Sequence, residues 1–110
     1  LARAGLKLGL SVCSYYEMAA ALAYRPTYIA IGPVFTTPSK DVPHAPLGVE
    51  GFRQMRKLSS RPVVAIGGIS LERGPELMAA GADGIAVISD IVNSRDLPDR
   101  VTGWLKAFPA

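Results

Sequence analysis

Four apolar runs alternate with four stretches of helical pattern, and this alternation constrains the fold more than any other feature. The runs span residues 6–12, 28–31, 62–66 and 84–88. The last three are continuously apolar, as expected of parallel strands that are covered on both faces. Parallel strands need long crossover connections, and each helical stretch between the runs can serve as one. The sequence therefore predicts an α/β fold made of four parallel βα units.

Each connection carries helix signals. Ser14 and Glu17 form a capping-box pattern in front of an alanine-rich stretch. The second helix is predicted to begin near Gly48 and the third to have Ser70 as its N-cap. The fourth helix is predicted over residues 97–108. The apolar side chains expected to be buried on the last three helices are Phe52, Met55, Leu58, Leu77, Met78, Val101, Trp104, Leu105 and Phe108.

Composition limits the class of protein and its partners. The 110 residues are 49% apolar and 19% charged, so residues 1–110 are interpreted as one domain with a core. The twelve basic residues are scattered without an aromatic-rich basic stripe, so no nucleic-acid partner is expected. No apolar stretch is long enough to span a membrane and no signal peptide is visible, so no membrane association is expected. A single cysteine fits a reducing compartment and predicts a cytoplasmic protein, and one His with one Cys argues against zinc.

Polar residues and glycines follow three of the predicted strands. Thr37, Ser39 and Lys40 follow the second strand, where hydroxyl groups supply directed donors and the ammonium supplies charge. The glycine pair 67–68 follows the third strand and permits backbone amides to approach an anion. Ser89 follows the fourth strand. Because the carboxyl ends of parallel strands meet at one edge, the sequence predicts a site for a phosphorylated ligand there.

Several of these residues also have a purely structural interpretation. The glycine pair 67–68 fits a tight βα turn that needs glycine dihedral angles. Ser11, which lies near the end of the first strand, could cap locally, and Cys13 could be a small buried side chain. Asp83 is interpreted as serving the turn before the fourth strand, and Asp90 as a residue at the start of a helix.

Five motifs occur in order along the chain. They are Leu-Gly-Leu-Ser at 8–11, Tyr-Ile-Ala-Ile-Gly-Pro-Val-Phe at 28–35 followed by Thr37, Ser39 and Lys40, Pro-x-Gly at 46–48, Val-Ala-Ile-Gly-Gly-Ile at 64–69, and Ala-Gly-Ala-Asp-Gly-Ile-Ala-Val-Ile-Ser at 80–89. Between about residues 8 and 91 the chain resembles the carboxyl-terminal half of the thiamine-phosphate synthase family. The resemblance implies that the four βα units form the C-terminal half of a TIM (β/α)8 barrel.

The resemblance also implies an activity and roles for particular residues. The family joins hydroxymethylpyrimidine diphosphate to a thiazole phosphate and releases diphosphate. Ser11 and Lys40 would contact the diphosphate, and Lys40 with Mg²⁺ would neutralise the leaving group, which makes Lys40 the implied catalytic residue. The residues implied to hold the thiazole phosphate are Thr37, Ser39, Gly68, Ile88 and Ser89. Ser39 stands where the family usually has Thr, a change that keeps the hydroxyl donor.

Two departures from the family limit this expectation. The family's Mg²⁺-binding aspartates lie in the first half of the barrel, so this chain is expected to supply no metal ligand and to be inactive alone. Cys13 stands where related thiazole tautomerases use a His as acid and base, and a thiol is a poor base near neutral pH. A thiazole tautomerase and a non-catalytic phosphate-binding module remain the alternative functions.

The expected partners follow from the same half-barrel. Small phosphorylated substrates are the expected ligands. The chain begins at Leu1 without a methionine, so we expect a processed or cloned piece of a longer protein. A half-barrel leaves two strand edges unpaired, so self-association or pairing with the missing half is also expected. The rival fold is a small flavodoxin-like sheet, whose strand order would reverse.

Overall fold

The computed structural model describes residues 5–36 and 45–108, and strands alternate with helices along them. The strands are β1 (Gly9–Val12), β2 (Tyr28–Ile31), β3 (Val63–Ile66) and β4 (Gly84–Ala86). The helices are α1 (Tyr15–Leu22), α2 (Gly48–Arg56), α3 (Gly74–Ala79), α4 (Ser89–Val92) and α5 (Leu97–Ala107).

The four strands form one parallel sheet in the order β1-β2-β3-β4. In its register Ser11 pairs with Ala30, Ala30 with Val64, and Val64 with Gly84, so one residue of each strand lies in a common row. Sequential parallel order is the order of a (β/α)8 barrel, here over four of its eight units. The predicted α/β fold is confirmed, and the flavodoxin-like alternative is wrong because the order does not reverse.

The helices cover one face of the sheet. Crossovers between neighbouring parallel strands are right-handed, so a sequential order places all of them on the same side. Alternate strand residues point to that side and are buried there, among them Ile29, Ile31, Val63 and Ala65. The other face carries Tyr28, which is 42% exposed, and is the face that would point into a barrel.

The start of α1 agrees with its sequence and the start of α3 does not. The Ser14 hydroxyl accepts a hydrogen bond from the Glu17 N–H at 3.1 Å, which confirms it as an N-cap. Ser70 is not the N-cap of α3, because a turn intervenes and the helix begins at Gly74. The Ser70 carbonyl accepts from the N–H groups of Arg73 and Gly74, both at 3.0 Å. The hydrogen bonds of the turn therefore use the main chain of Ser70.

The end of β4 also differs from the prediction. The strand stops at Ala86, since Ile88 has φ −127° and ψ −73°, outside the extended region. The chain then enters α4, a single helical turn. A four-residue helix contains too little periodicity to be recognised in a sequence.

Part of the predicted core is exposed. Phe52, Met55, Leu77 and Trp104 are buried, and Phe108 is half-buried. The positions predicted to be buried that are instead exposed are Leu58, Met78, Val101 and Leu105. On α5 the buried apolar side chain is that of Trp104, whose ring stacks on Phe108 at 5.4 Å between centroids. Among the helices in the described ranges, none has the length and apolar character needed to cross a membrane.

Candidate functional site: a cavity at the carboxyl edge of the sheet

A cavity of about 500 Å³ lies where the carboxyl ends of the strands meet. It is lined by four of the seven predicted site residues, Ser11 from β1, Gly68 after β3, and Ile88 with Ser89 after β4. The structure therefore brings together residues that are separated by up to 78 positions in the chain, from Ser11 to Ser89. The other three, Thr37, Ser39 and Lys40, lie outside the described residues, so their roles stay predictions.

Most of the remaining lining is apolar. It comprises Val12, Cys13, Glu17, Ala30, Gly32, Pro33, Ile66, Gly67, Ile69, Ala86 and Val87. Sequence reasoning did not assign most of these residues to the site. The alternation of strand residues could have identified Ala30, Ile66 and Ala86, because they point to the uncovered face of the sheet. The small side chains of Ala30 and Ala86 leave room for a ligand.

The glycine pair after β3 has the structural role that its sequence allowed. Gly67 and Gly68 have φ values of +106° and +64°. A Cβ atom on Gly68 would lie 2.3 Å from the Thr36 carbonyl oxygen, and one on Gly67 would lie 2.5 Å from the Pro33 Cα. The Phe35 N–H also donates to the Gly67 carbonyl at 3.0 Å. The pair therefore lets the segment that follows β2 lie directly against the segment that follows β3.

The side chain of Arg73 also links the segment that follows β2 to the segment that follows β3. The Arg73 guanidinium is 4.3 Å from the centroid of the Phe35 ring, a cation–π distance. Arg73 precedes α3 and Phe35 follows β2, so this contact ties the two loops a second time. Since α3 begins at Gly74, the predicted helix start directly after the glycine pair is wrong.

Cys13 and Glu17 form a hydrogen-bonded pair at the β1 side of the cavity. The Cys13 thiol donates to Glu17 Oε1 at 2.9 Å, and the Cys13 N–H donates to the same oxygen at 2.7 Å. This hydrogen bond, then burial, then the carboxylate charge raise the pKa of Cys13 to about 11. The thiol is half-buried and holds its proton at neutral pH. It can donate a hydrogen bond but is not poised to take up a proton.

Two aspartates have the structural roles that their positions indicated. Asp83 Oδ2 accepts from the Val63 N–H at 2.9 Å and from Arg56 at 3.3 Å, so it joins the starts of β3 and β4. Asp90 is the second residue of α4, as predicted. Its carboxylate accepts from Arg100 Nη2 at 2.6 Å and from Trp104 Nε1 at 2.7 Å. Burial raises the pKa of Asp90, but these hydrogen bonds and the Arg100 charge outweigh burial and hold it below its usual range.

Residues 5–36 and 45–108 contain no group of three or more His, Cys, Asp and Glu side chains that could hold a metal ion. What the described residues present is a cavity with small and hydroxyl-bearing side chains, suited to binding and positioning a ligand.

Comparison with known proteins identifies the family. A family model described as thiamine monophosphate synthase matches residues 1–91. The chain is 46% identical over 106 residues to the thiamine-phosphate synthase of Rhizobium etli, covering 96% of this chain and 52% of that protein. It is 50% identical over 94 residues to the one of Escherichia coli O157:H7, covering 84% of this chain and 44% of that protein. The chain thus spans about half the length of these curated relatives.

A solved structure of one relative also matches this chain over about half of its own length. The thiamine phosphate pyrophosphorylase of Pyrococcus furiosus superposes with a TM-score of 0.80 at 35% identity. The superposition covers 92% of this chain and 48% of that one. The resemblance drawn from the five motifs is confirmed, as is the correspondence to half of the relatives' fold.

Proposed function

The chain belongs to the thiamine monophosphate synthase family, and we propose that it is the carboxyl-terminal part of an enzyme that makes thiamine phosphate. That enzyme joins hydroxymethylpyrimidine diphosphate to a thiazole phosphate and releases diphosphate in the cytoplasm. The observation that carries the proposal is the cavity at the carboxyl edge of the sheet. It gathers Ser11, Gly68, Ile88 and Ser89, which the family resemblance implicates, at one place.

We assign this chain the binding and positioning part of the reaction. Ser11 lies on the β1 side of the cavity, where the diphosphate of the pyrimidine substrate would bind. Gly68, Ile88 and Ser89 lie on the β3 and β4 side, where the thiazole phosphate would bind with Thr37 and Ser39. Two phosphorylated substrates held in one cavity react as if within one molecule, which lowers the entropic part of the barrier.

Lys40 is assigned the neutralisation of the leaving diphosphate, since an ammonium beside departing charge stabilises the transition state. Any Mg²⁺ ligands are assigned to a part of the protein outside this chain, as the family resemblance implies. The chain alone is accordingly expected to bind phosphorylated compounds without turning them over.

The test is an assay of the complete protein that contains this chain. Coupling of the two substrates with release of diphosphate supports the proposal. Isomerisation of a thiazole carboxylate phosphate without coupling would make the protein a thiazole tautomerase instead, and the protonated Cys13 thiol argues against that outcome. Binding of phosphate compounds without any turnover would make it a non-catalytic phosphate-binding module.

The role of Lys40 has its own test in the complete enzyme. Lys40→Ala should slow diphosphate-dependent turnover more than it weakens binding of the thiazole phosphate. Losing a charge-assisted contact typically costs about 1.5–3 kcal/mol, or roughly 10- to 150-fold. Ser89→Ala should have a smaller effect, because the Ser89 backbone amide remains. Lys57→Ala, which removes an exposed lysine at the end of α2, is the matched control. Unchanged turnover in Lys40→Ala would remove Lys40 from the mechanism.

A further inference from the structure

A half-buried residue with a carboxylate side chain, Asp90, lies next to the cavity in the chain. Asp90 follows the cavity residue Ser89, and its side chain is only 9% exposed. It accepts hydrogen bonds from Arg100 Nε at 3.0 Å and Nη2 at 2.6 Å, and from Trp104 Nε1 at 2.7 Å. Three donors on one carboxylate, all held by helix α5, fix its position strongly.

Arg100 extends this contact to a second carboxylate. Its Nη1 and Nη2 atoms donate to the two oxygens of Glu72, both at 3.1 Å. The planar guanidinium therefore joins Asp90, after β4, to Glu72, in the segment after β3. Glu72 follows the cavity residue Gly68 after three intervening residues, and Asp90 follows the cavity residue Ser89 directly. Arg100 therefore joins two segments that each contribute residues to the cavity.

The same contact removes an electrostatic conflict. A carboxylate one residue away from an anion-binding serine repels the anion unless its charge is compensated. Arg100 compensates Asp90 at short range, with 2.6 Å between Nη2 and Oδ1, and the pKa of Arg100 is raised by that contact. Glu72 is 70% exposed at its side chain, so solvent screens its charge.

Part of this arrangement lies beyond the match to the family model. The matched family model ends at residue 91, whereas Arg100 and Trp104 lie on α5 beyond it. Residues 72, 90 and 100 are also too far apart in the chain for a motif to reveal them.

We propose that Arg100, acting through Asp90, is a positioning residue for the phosphate subsite of the cavity. It sets the separation between the segment after β3, which carries Gly68, and the segment after β4, which carries Ile88 and Ser89. The assignment rests on the proposed function, in which the phosphate of the thiazole substrate binds between these two segments. Arg100 touches neither substrate.

The kinetic test uses the complete enzyme with both substrates varied. Arg100→Lys keeps the charge but loses the planar fork that holds two carboxylates. We expect the KM for the thiazole phosphate to rise by about tenfold, as is typical when the partner of a ligand-holding group is changed. The KM for the pyrimidine diphosphate should change by less than about twofold, since its subsite lies on the β1 side.

Two further variants separate positioning from folding. Arg53→Lys changes an exposed arginine that pairs with Glu50 on α2, away from the cavity, and should leave both KM values unchanged. Trp104→Phe removes the indole donor to Asp90 and part of the buried ring but keeps Arg100 and an aromatic side chain, so it should raise the same KM by a smaller factor. If Arg100→Lys does not fold, Trp104→Phe decides the question alone.

A binding measurement makes the result independent of turnover. Inorganic phosphate is titrated into the complete protein, and the Ser89 backbone amide is followed by NMR. Arg100→Lys should raise the phosphate dissociation constant at this amide by about tenfold relative to Arg53→Lys. Equal dissociation constants, or equal increases in both KM values, would overturn the positioning role. If the wild type shows the phosphate effect but no coupling, the positioning role stands and the proposed function fails.

Discussion

At the scale of single residues, Gly68 and Gly48 share a backbone conformation but not an environment. Their φ values are +64° and +72°, and a Cβ atom would meet the Thr36 carbonyl oxygen at 2.3 Å on Gly68 and nothing within 4 Å on Gly48. Gly48→Ala should therefore lower the free energy of unfolding by about 1–2 kcal/mol, because alanine is strained in the left-handed conformation. Gly68→Ala should cost a further ~1–3 kcal/mol from the collision. Urea unfolding of both variants measures the difference, and equal losses would show that the two loops can separate without cost.

The reactivity of Cys13 should depend on Glu17. Because the hydrogen bond to Glu17 raises the pKa of Cys13 to about 11, little thiolate is present at pH 8. Glu17→Gln removes the charge and should return the pKa toward its usual value near ~8.5. The gain in thiolate is partly offset by lower nucleophilicity, so alkylation should become roughly tenfold faster. Mass spectrometry of the Cys13 peptide after iodoacetamide treatment measures this rate. Ser14→Ala is the control, since it removes the helix cap and leaves the carboxylate in place.

At the scale of elements, the ion pairs of Arg100 with Asp90 and Glu72 join α5 to α4 and to the segment that follows β3. The pKa of Asp90 is lowered in the folded protein, because the hydrogen bonds from Arg100 and Trp104 outweigh the effect of burial. A lowered pKa means that the folded state binds fewer protons than the unfolded state in the acid range. The stability contributed by Asp90 is therefore fully present above its unfolded pKa of about 3.9 and is lost as pH falls through the lower folded pKa.

Asp90→Asn should consequently destabilise the protein most at neutral pH. The free energy of unfolding should fall by about 2–3 kcal/mol at pH 7, because charged donors lose their carboxylate. The difference from wild type should shrink as pH drops below ~3.9, where the wild-type carboxyl becomes protonated. Denaturant unfolding at a series of pH values tests this. Glu50→Gln is the control, since the pKa of Glu50 is also lowered but its side chain is exposed, so its effect should be smaller. A loss of stability that stays constant with pH would contradict the ion pair.

At the scale of the whole molecule, the described chain leaves apolar surface uncovered. β1 and β4 are the outer strands of the sheet, and Tyr28, on the face opposite the helices of the described residues, is 42% exposed. On α5, Val101 is 39% and Leu105 is 67% exposed. An unpaired parallel edge beside apolar surface favours association with another chain.

We therefore expect the isolated 110-residue chain to self-associate, or to pair with the remaining half of the barrel when that half is supplied. Light scattering over a concentration series measures the mass of the particle. Adding the other half as a separate chain should replace the self-associated species with a complex of one copy of each. A well-folded monomer at high concentration would contradict the expectation.

Local patterns in the sequence determined the elements. A buried parallel strand must be continuously apolar, so residues 28–31 and 62–66 were recognisable as strands. Ser14 was recognisable as an N-cap because its partner lies three residues away. The site residues Ser11, Gly68, Ile88 and Ser89 followed from the family motifs, and their common cavity follows from the rule that parallel strands end at one edge.

Only the tertiary structure decided which surfaces meet. Periodicity marks Val101 and Leu105 as apolar positions of a helix, but it cannot say whether a partner covers them, and in this chain Trp104 is the buried side chain instead. The ion pairs that link Asp90, Arg100 and Glu72 connect residues up to 28 positions apart. No local sequence pattern predicts them, because these side chains meet only when the helices pack. A backbone pattern depends on neighbours in the chain, whereas a contact depends on neighbours in space, and the latter exist only once the sheet and its helices have assembled.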